Sequence, residues 1–386
     1  MKILSLLILL FVLHSPLSAQ FSSDRVEMGG YFQMMPVRIS AELPPPMNDS
    51  VLWETRVQNR LTTRWFISDN MTLNAHLRTR FFYGDLIKTI PGYAQVIDSD
   101  SGFANLSFLI AEESSWLLHS QPDRLNLDWN RGDWRVTAGR QRINWGINSV
   151  TNPNDLFNIY SFYEFDYPER PGSDAIRVQY FRNWASRVEV AWRPDREFSN
   201  SVAAALFSFN RNGYDIQLIS GYYRGRLAAG GGWAGSIRQS GFKGEWMVFT
   251  DLEKERSVQK TTLIAGISAD HMFDGGLFLI LEGLYNSAGG MDQFSLFGDS
   301  FTPDNPGFSR WQYSLQGNYP LSPILSGSLA LLVYPDQEAL FISPSAVWSV
   351  LQNLDFTILM QIFTGSSDSP FGRSGSVAAA SLIWNF

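Results

Sequence analysis

Polar and apolar residues alternate along most of this chain, in segments of about ten residues each. In the segment 54–65, Arg56 and Arg60 fall on one side, whereas Val57 and Trp65 fall on the other. Successive side chains of a β-strand point to opposite faces of its sheet. The pattern therefore predicts a sheet with one polar face and one apolar face.

About 18 such strands can be placed, with about 16 as the alternative count. They start near residues 28, 52, 71, 123, 133, 174, 186, 200, 213, 225, 241, 260, 276, 308, 324, 338, 353 and 375. Short turns rich in Asn, Asp, Gly, Ser and Pro alternate with longer loops, of which 85–122 and 144–173 are the longest. Short periplasmic turns and long extracellular loops are typical of an outer-membrane barrel. We therefore predict an all-β fold, a transmembrane antiparallel up-and-down β-barrel with outer-membrane lipid against its apolar side.

The start of the chain fits export. Lys2, the apolar run 3–13 and the small residue Ala19 resemble a secretory signal peptide. We expect residues 1–19 to be this peptide and residues 20–386 to form one barrel domain. A membrane anchor is the alternative, but the run is shorter than the roughly 18 apolar residues of a spanning helix.

The end of the chain fits insertion into an outer membrane. Leu382, Trp384 and Phe386 share one face of the last strand. An apolar last strand that ends in Phe resembles the C-terminal signal read by the outer-membrane barrel assembly machinery. We therefore expect that machinery as a partner through Phe386, and the bacterial cell outer membrane as the location.

Composition narrows the function classes. Charged residues make up 17% of the chain, fewer than the roughly 25% of soluble domains, and aromatic residues make up 14%. A net charge of −7 argues against nucleic acid as a partner, which requires a basic surface. The absence of cysteine excludes disulfides and thiolate metal sites. We expect no metal and no cofactor.

The polar face must line the barrel interior, so its charges describe the pore. The predicted basic wall carries Arg56, Arg60, Arg64, Arg78, Arg80, Arg135 and Arg177, and the later strands carry Asp215, Glu245 and Asp270, with Glu282 beside them. We expect a transverse field that favours polar, dipolar or anionic solutes over apolar ones. The alternative is that these charges pair across the interior and fill it.

The turn near Asp69 places Arg60 across from Arg78 and next to Arg80. Like charges on facing strand positions destabilise a sheet. We therefore expect acidic residues of the long loops, or an anionic solute, to offset the repulsion.

The two longest loops are the candidate gates. Residues 107–118 could form a short amphipathic helix that folds inward, so that Glu112 and Glu113 meet the basic wall. The same helix could instead lie over the outer rim. The sequence does not decide between these placements.

The segment 139–172 carries a strand ending in Gly-Arg-Gln, then Trp-Gly, then an Asn-Pro and Asp-Leu-Phe loop. Here the chain resembles the alginate-export and porin-like group of outer-membrane barrels. The resemblance implies a pore of about 18 strands for polar or anionic solutes. It also implies that a loop entering or capping the pore is shaped by Arg140, Gln141, Trp145, Asn152, Pro153 and Asp155. The alternative is a loop anchor with Trp145 buried, Asp155 capping a turn and Arg140 paired to a carboxylate.

We expect a porin or channel for the passive or facilitated passage of small polar or anionic solutes, saccharides included. The alternative is a plugged barrel that binds or assembles a surface exopolysaccharide, and a secreted soluble β-protein is a third hypothesis. His76, His119 and His271 form no Ser/His/acid set at a defined spacing, so we expect no enzyme.

Overall fold

A computed structural model describes residues 21–42, 49–100, 102–158, 161–167, 169–252, 260–291, 301–366, 369, 371–372 and 375–386. The predicted signal peptide, residues 1–19, lies outside the described residues.

Most of the described chain is β-strand, and it contains very little helix. Its strands are β1 (Phe21–Ser22), β2 (Val26–Glu42), β3 (Asp49–Ser68), β4 (Met71–Gly84), β5 (Phe108–Glu113), β6 (Trp116–Arg131), β7 (Trp134–Gln141), β8 (Ser173–Asn183), β9 (Ser186–Arg193), β10 (Val202–Arg211), β11 (Tyr214–Tyr223), β12 (Arg226–Ile237), β13 (Ser240–Asp251), β14 (Thr261–Met272), β15 (Phe278–Asn286), β16 (Trp311–Ser322), β17 (Leu325–Tyr334), β18 (Ala339–Leu351), β19 (Leu354–Gly365) and β20 (Ser376–Asn385). All neighbouring strands pair antiparallel. Apart from the short β1 and β5, they form a closed ring of 18 strands in which β20 pairs with β2. The predicted barrel is confirmed.

The alternation of the sequence separates the two faces as predicted. Trp65 and Ile358 are 47% and 53% exposed on the outer face, whereas Arg60 on the inner face is only 8% exposed. Exposed aromatic side chains lie toward both strand ends, with Trp53 near the loop end of β3 and Trp65 near its turn end. This arrangement matches the aromatic girdles of membrane barrels.

The segment 107–118 does not form the predicted helix, so that prediction was wrong. β5 and β6 form a hairpin there, and Glu112 and Glu113 are exposed instead of meeting the basic wall. The reason lies in β7, which pairs with β6 only from Leu125 onward and leaves the upper edge of β6 open. β5 pairs with that edge, since unpaired strand edges are costly in lipid. β6 therefore begins at Trp116, ahead of the predicted start near 123.

Two short helices follow β4, α1 (Asp85–Thr89) and α2 (Tyr93–Ile97), and two single turns of 3-10 helix lie at Phe198–Asn200 and Pro335–Gln337. Within the described ranges, no helix is both long and apolar enough to cross a membrane.

The loop between β7 and β8, residues 142–172, is called the inner loop below, and its described residues lie inside the barrel. Its first half packs Trp145, Leu156 and Phe157 against apolar residues of β8 to β15. Its second half packs Phe162 and Phe165 against a second apolar cluster of β2, β3 and β17 to β20. The inner loop therefore fills part of the barrel interior and packs against two parts of its wall.

Candidate functional site

The first half of the inner loop is fixed to the barrel wall by hydrogen bonds. The indole Nε1 of Trp145 donates to Glu189 at 2.5 Å, and its backbone carbonyl accepts from Gln217 at 2.7 Å. The amide of Asn154 donates to the carbonyl of Gly231 at 3.0 Å. These contacts join one loop to β9, β11 and β12, so the loop crosses this half of the interior as a fixed element.

The acidic residues of the later wall bind the loop backbone. Glu245 accepts the N–H of Ile147 at 3.0 Å. Glu282 accepts three successive N–H groups, those of residues 149–151, at 2.9, 3.2 and 3.0 Å. Buried carboxylates require such donors. Two of the four acids predicted for the acidic side of the transverse field thus hold the loop backbone.

The other two predicted acids of this wall have local partners. Asp270 forms an ion pair with Lys243 at 2.8 Å. Asp215 is exposed and accepts a hydrogen bond from Asn210 at 2.9 Å. Neither contacts the inner loop through a hydrogen bond in the described part of the chain.

The second half of the inner loop brings acids to the basic wall. Asp166 forms an ion pair with Arg56 at 2.7 Å, and Glu169 approaches Arg60 at 3.6 Å. Burial alone would raise the pKa of Asp166, but the guanidiniums of Arg56 and Arg78 hold that pKa below its usual range. The sequence predicts that loop acids would offset the repulsion within this wall, and the inner loop supplies them.

The register that required this compensation is as predicted, with Arg60 directly opposite Arg78. Sequence reasoning missed Asp123, which forms an ion pair with Arg60 at 2.9 Å. It also missed Asp166 and Glu169. The sequence does contain a signal for Asp166 and Glu169, because residues 164–169 include three acids in a loop that follows the strands of the basic wall.

The remaining predicted wall arginines lie nearer the turn end and have their own partners. Arg64 pairs with Glu27 at 3.1 Å, Arg135 with Asp128 at 2.6 Å and Arg177 with Glu189 at 2.6 Å.

Residues predicted to constrict the pore act mainly as anchors. Trp145, Asn152 and Asp155 are buried, and Gln141 donates to two backbone carbonyls. Asp155 accepts the N–H of Trp145 at 3.4 Å, and burial raises its pKa to about 7. These contacts favour the alternative interpretation of this motif, a loop anchor.

Arg140 is buried and lies among the residues that line the cavity described below. Its guanidinium binds Asp174 at 2.7 Å and Asp100 at 2.9 Å, as the loop-anchor alternative expects. The segment after α2 covers it there, and Ala104 accepts another of its N–H groups at 2.9 Å. Arg140 therefore joins three segments of the chain at the loop end of the barrel.

A cavity of about 490 Å³ remains between the basic wall, the inner loop and α2. Arg56, Arg78 and Arg80 line one side, and Glu164 and Asp166 line the other; the remaining lining residues include Tyr93, Asp100, Asp123, Arg140, Tyr163, Phe165 and Tyr167. No carboxylate of the described residues forms an ion pair with Arg80. Its guanidinium donates to the carbonyl of Ile97 at 3.3 Å and to His119 at 3.0 Å. The cavity can thus offer one guanidinium to an anionic group.

Comparison with known proteins places the fold. The chain is similar to the structure of Acinetobacter baumannii OccAB4, with a TM-score of 0.57 and 9% identity over 96% of this chain and 100% of that chain. Pseudomonas aeruginosa OccK11 (OpdR) gives a TM-score of 0.58 and 9% identity over 95% and 97%, and Salmonella typhi OmpF gives 0.50 and 9% over 95% and 100%. No protein-family model and no curated protein matches the chain.

Identities this low show a shared fold and not a shared solute. The resemblance to the alginate-export group stays a prediction from the sequence. The closed 18-stranded barrel has the fold of outer-membrane porins.

Proposed function

We propose that this protein is an outer-membrane channel for the passive or facilitated passage of small polar or anionic solutes. The observation that carries the proposal is the cavity of about 490 Å³, which lies inside a membrane-type barrel and has three guanidiniums on one side. A solute would diffuse down its gradient through this cavity. Arg80 would bind its anionic or hydroxyl oxygens, and acids of the inner loop would accept from its donors.

The proposal includes export of the protein and its location in the outer membrane. The apolar outer face, with Ile358 and Trp65 exposed, fits outer-membrane lipid. The backbone of Phe386 pairs with that of Gly30 at the seam of the ring, so the proposed assembly signal is part of the strand that closes the barrel. Cleavage after Ala19 and heat-modifiable migration of the mature protein in an outer-membrane fraction are the expected results.

The test of the channel is conductance of the purified barrel in planar bilayers, with reversal potentials measured in a salt gradient. We expect a steady open current with weak anion selectivity. An inserted, folded barrel that passes no current at any voltage would contradict the channel.

The position of the inner loop inside the barrel also supports a second candidate function, that of a plugged barrel. The inner loop is bound to β9, β11 and β12 and buries Trp145 and Phe157 in an apolar cluster. A barrel filled in this way could bind or assemble a surface exopolysaccharide without passing solutes. Absence of current together with binding of an acidic polysaccharide would favour it.

Protonation of Glu164 should change the selectivity of the channel. Burial and the neighbouring Asp166 raise the pKa of Glu164 to about 7, while Arg56, Arg78 and Arg80 lower it by a smaller amount. Below that pH the cavity loses one negative charge and its arginines dominate. We expect the anion-to-cation permeability ratio to rise, by about two-fold, when the pH falls from about 8 to about 6.

Glu164→Gln should hold the ratio at its low-pH value throughout this range. Asp155→Asn is the matched control, since Asp155 also titrates near pH 7 but does not line the cavity. A pH response that survives in Glu164→Gln and disappears in Asp155→Asn would assign the effect to the loop anchor instead.

A further inference from the structure

A buried chain of polar groups ends at Arg80. The Nη2 of Arg80 lies 3.0 Å from Nδ1 of His119, the Nε2 of His119 lies 2.7 Å from Oγ of Ser107, and this hydroxyl lies 2.8 Å from Oδ1 of Asp98. The sequence places His119 in a long loop, but it belongs to β6 and its side chain is fully buried. Asp98 and Ser107 come from the loop that contains α1 and α2.

The direction of each hydrogen bond follows from Arg80. A guanidinium can only donate, so Nδ1 of His119 must accept and the ring must be neutral with its hydrogen on Nε2. Nε2–H then donates to Ser107, whose hydroxyl donates to Asp98. All three bonds run in one direction, from the cavity to the extracellular loop.

This direction excludes one tempting interpretation. Activation of a serine nucleophile needs an imidazole nitrogen that accepts the hydroxyl proton, with a carboxylate on the other nitrogen. Here the nitrogen beside Ser107 donates, and a cation occupies the other side of His119. The Ser, His and Asp residues brought together by the fold are therefore not arranged for nucleophilic catalysis.

The group they fix is Arg80, the arginine of the basic wall that forms no ion pair with a carboxylate of the described residues. Arg56 pairs with Asp166 at 2.7 Å. Arg80 lines the same cavity, and within the described part of the chain its Nη2 bonds to neutral acceptors, the carbonyl of Ile97 and His119. A carboxylate at either place would neutralise the guanidinium, but a neutral imidazole orients it and leaves its charge available.

We infer that Asp98, Ser107 and His119 are positioning residues that hold Arg80 as the cation that receives the carboxylate or other small oxyanion of a passing solute. The extracellular loop thereby sets the charge selectivity of the cavity. This inference rests on the proposed channel function and adds to it the residues that determine specificity.

The experiment measures reversal potentials in a KCl gradient for the full barrel and for Arg80→Gln, Ser107→Ala and Ser107→Thr. Arg80→Gln should lower the anion-to-cation permeability ratio by about two-fold. Ser107→Ala should give at least half of that shift, and Ser107→Thr, which keeps the hydroxyl, should restore the ratio. Ser114→Ala in the β5–β6 turn is the control, and heat-modifiable migration verifies folding of each variant.

A change of the permeability ratio in Arg80→Gln without one in Ser107→Ala would overturn the positioning role. An unchanged ratio in both variants would show that Arg80 is not the cation that binds the solute. A second measurement stands even if the wild-type barrel passes no current and the channel proposal fails. Nitrogen-15 shifts of the His119 ring, assigned with His76→Gln and His271→Gln variants, should show a neutral ring with hydrogen on Nε2. A ring protonated on Nδ1 would overturn the inference on its own.

Discussion

Excision of residues 147–170, with the ends joined by a short Gly-Ser linker, is expected to raise single-channel conductance by roughly three- to ten-fold, because an 18-stranded barrel without an inserted loop encloses an aqueous channel. The excised segment holds the contacts to Glu245 and Glu282 and all the acids that the inner loop brings to the basic wall. Its loss should also change selectivity strongly toward anions.

The barrel itself should survive this excision. Its ring of strand pairs closes between β20 and β2 without any contribution from the inner loop. Heat-modifiable migration would verify folding, and planar-bilayer recording would give the current. A matched control replaces Ser114 and Ser115 in the β5–β6 turn by Asn-Gly, which changes a rim turn and should leave the conductance unaltered.

The outcome also separates the two candidate functions. Current in the wild-type barrel that grows on excision supports a channel narrowed by the inner loop. Current only after excision supports the plugged barrel. A folded, excised barrel with wild-type conductance would show that ions do not pass beside this loop at all.

The barrel could be predicted from the sequence because its determinants are local. Alternation has a period of two residues, and a tight turn fixes the register of the strands beside it. The turn near Asp69 thus places Arg60 opposite Arg78, and the structure has this pair in register. Strand starts were wrong mainly at β6, where the apolar run before residue 123 belongs to a strand rather than a loop.

The site could not be predicted to the same degree, because its contacts join residues far apart in the sequence. Ser149 and Glu282 are 133 residues apart, and Gln361 donates to Tyr163 across 198 residues. No local pattern shows which of two long loops folds inward. The interpretation of residues 107–118 as a helix failed for a related reason, since their strand depends on an edge of β6 that β7 leaves open.

The motif at 139–172 shows what a resemblance can and cannot transfer. The resemblance covers the segment that lies inside the barrel, and the second half of that segment does contact the basic wall. Its polar residues Arg140 and Asp155 are predicted to shape a loop that enters or caps the pore, and both are held by contacts within the chain. The acidic residues that line the cavity from this loop, Glu164 and Asp166, are not among the residues on which the resemblance rests.

Glu189→Leu is expected to destabilise the barrel by about 3–5 kcal/mol, because it leaves a cation without its buried partner. Glu189 is fully buried and accepts from Arg177 at 2.6 and 2.9 Å, from Gln179 at 2.8 Å and from Trp145 at 2.5 Å. The measurement is guanidinium-induced unfolding followed by Trp fluorescence in detergent.

A double substitution tests the cause. Adding Arg177→Met to Glu189→Leu should recover about half or more of the lost stability, since replacing both members of a buried pair with apolar residues is far less costly than removing one. Arg64→Gln is the control, because it breaks a pair whose side chains are 54% and 46% exposed and should cost under about 1 kcal/mol. Equal losses of unfolding free energy in Glu189→Leu and Arg64→Gln would contradict the role of Glu189 as a buried anchor. If the double variant regains stability but its current fluctuates, the lost hydrogen bond from Trp145 to Glu189 contributes to holding the inner loop in place.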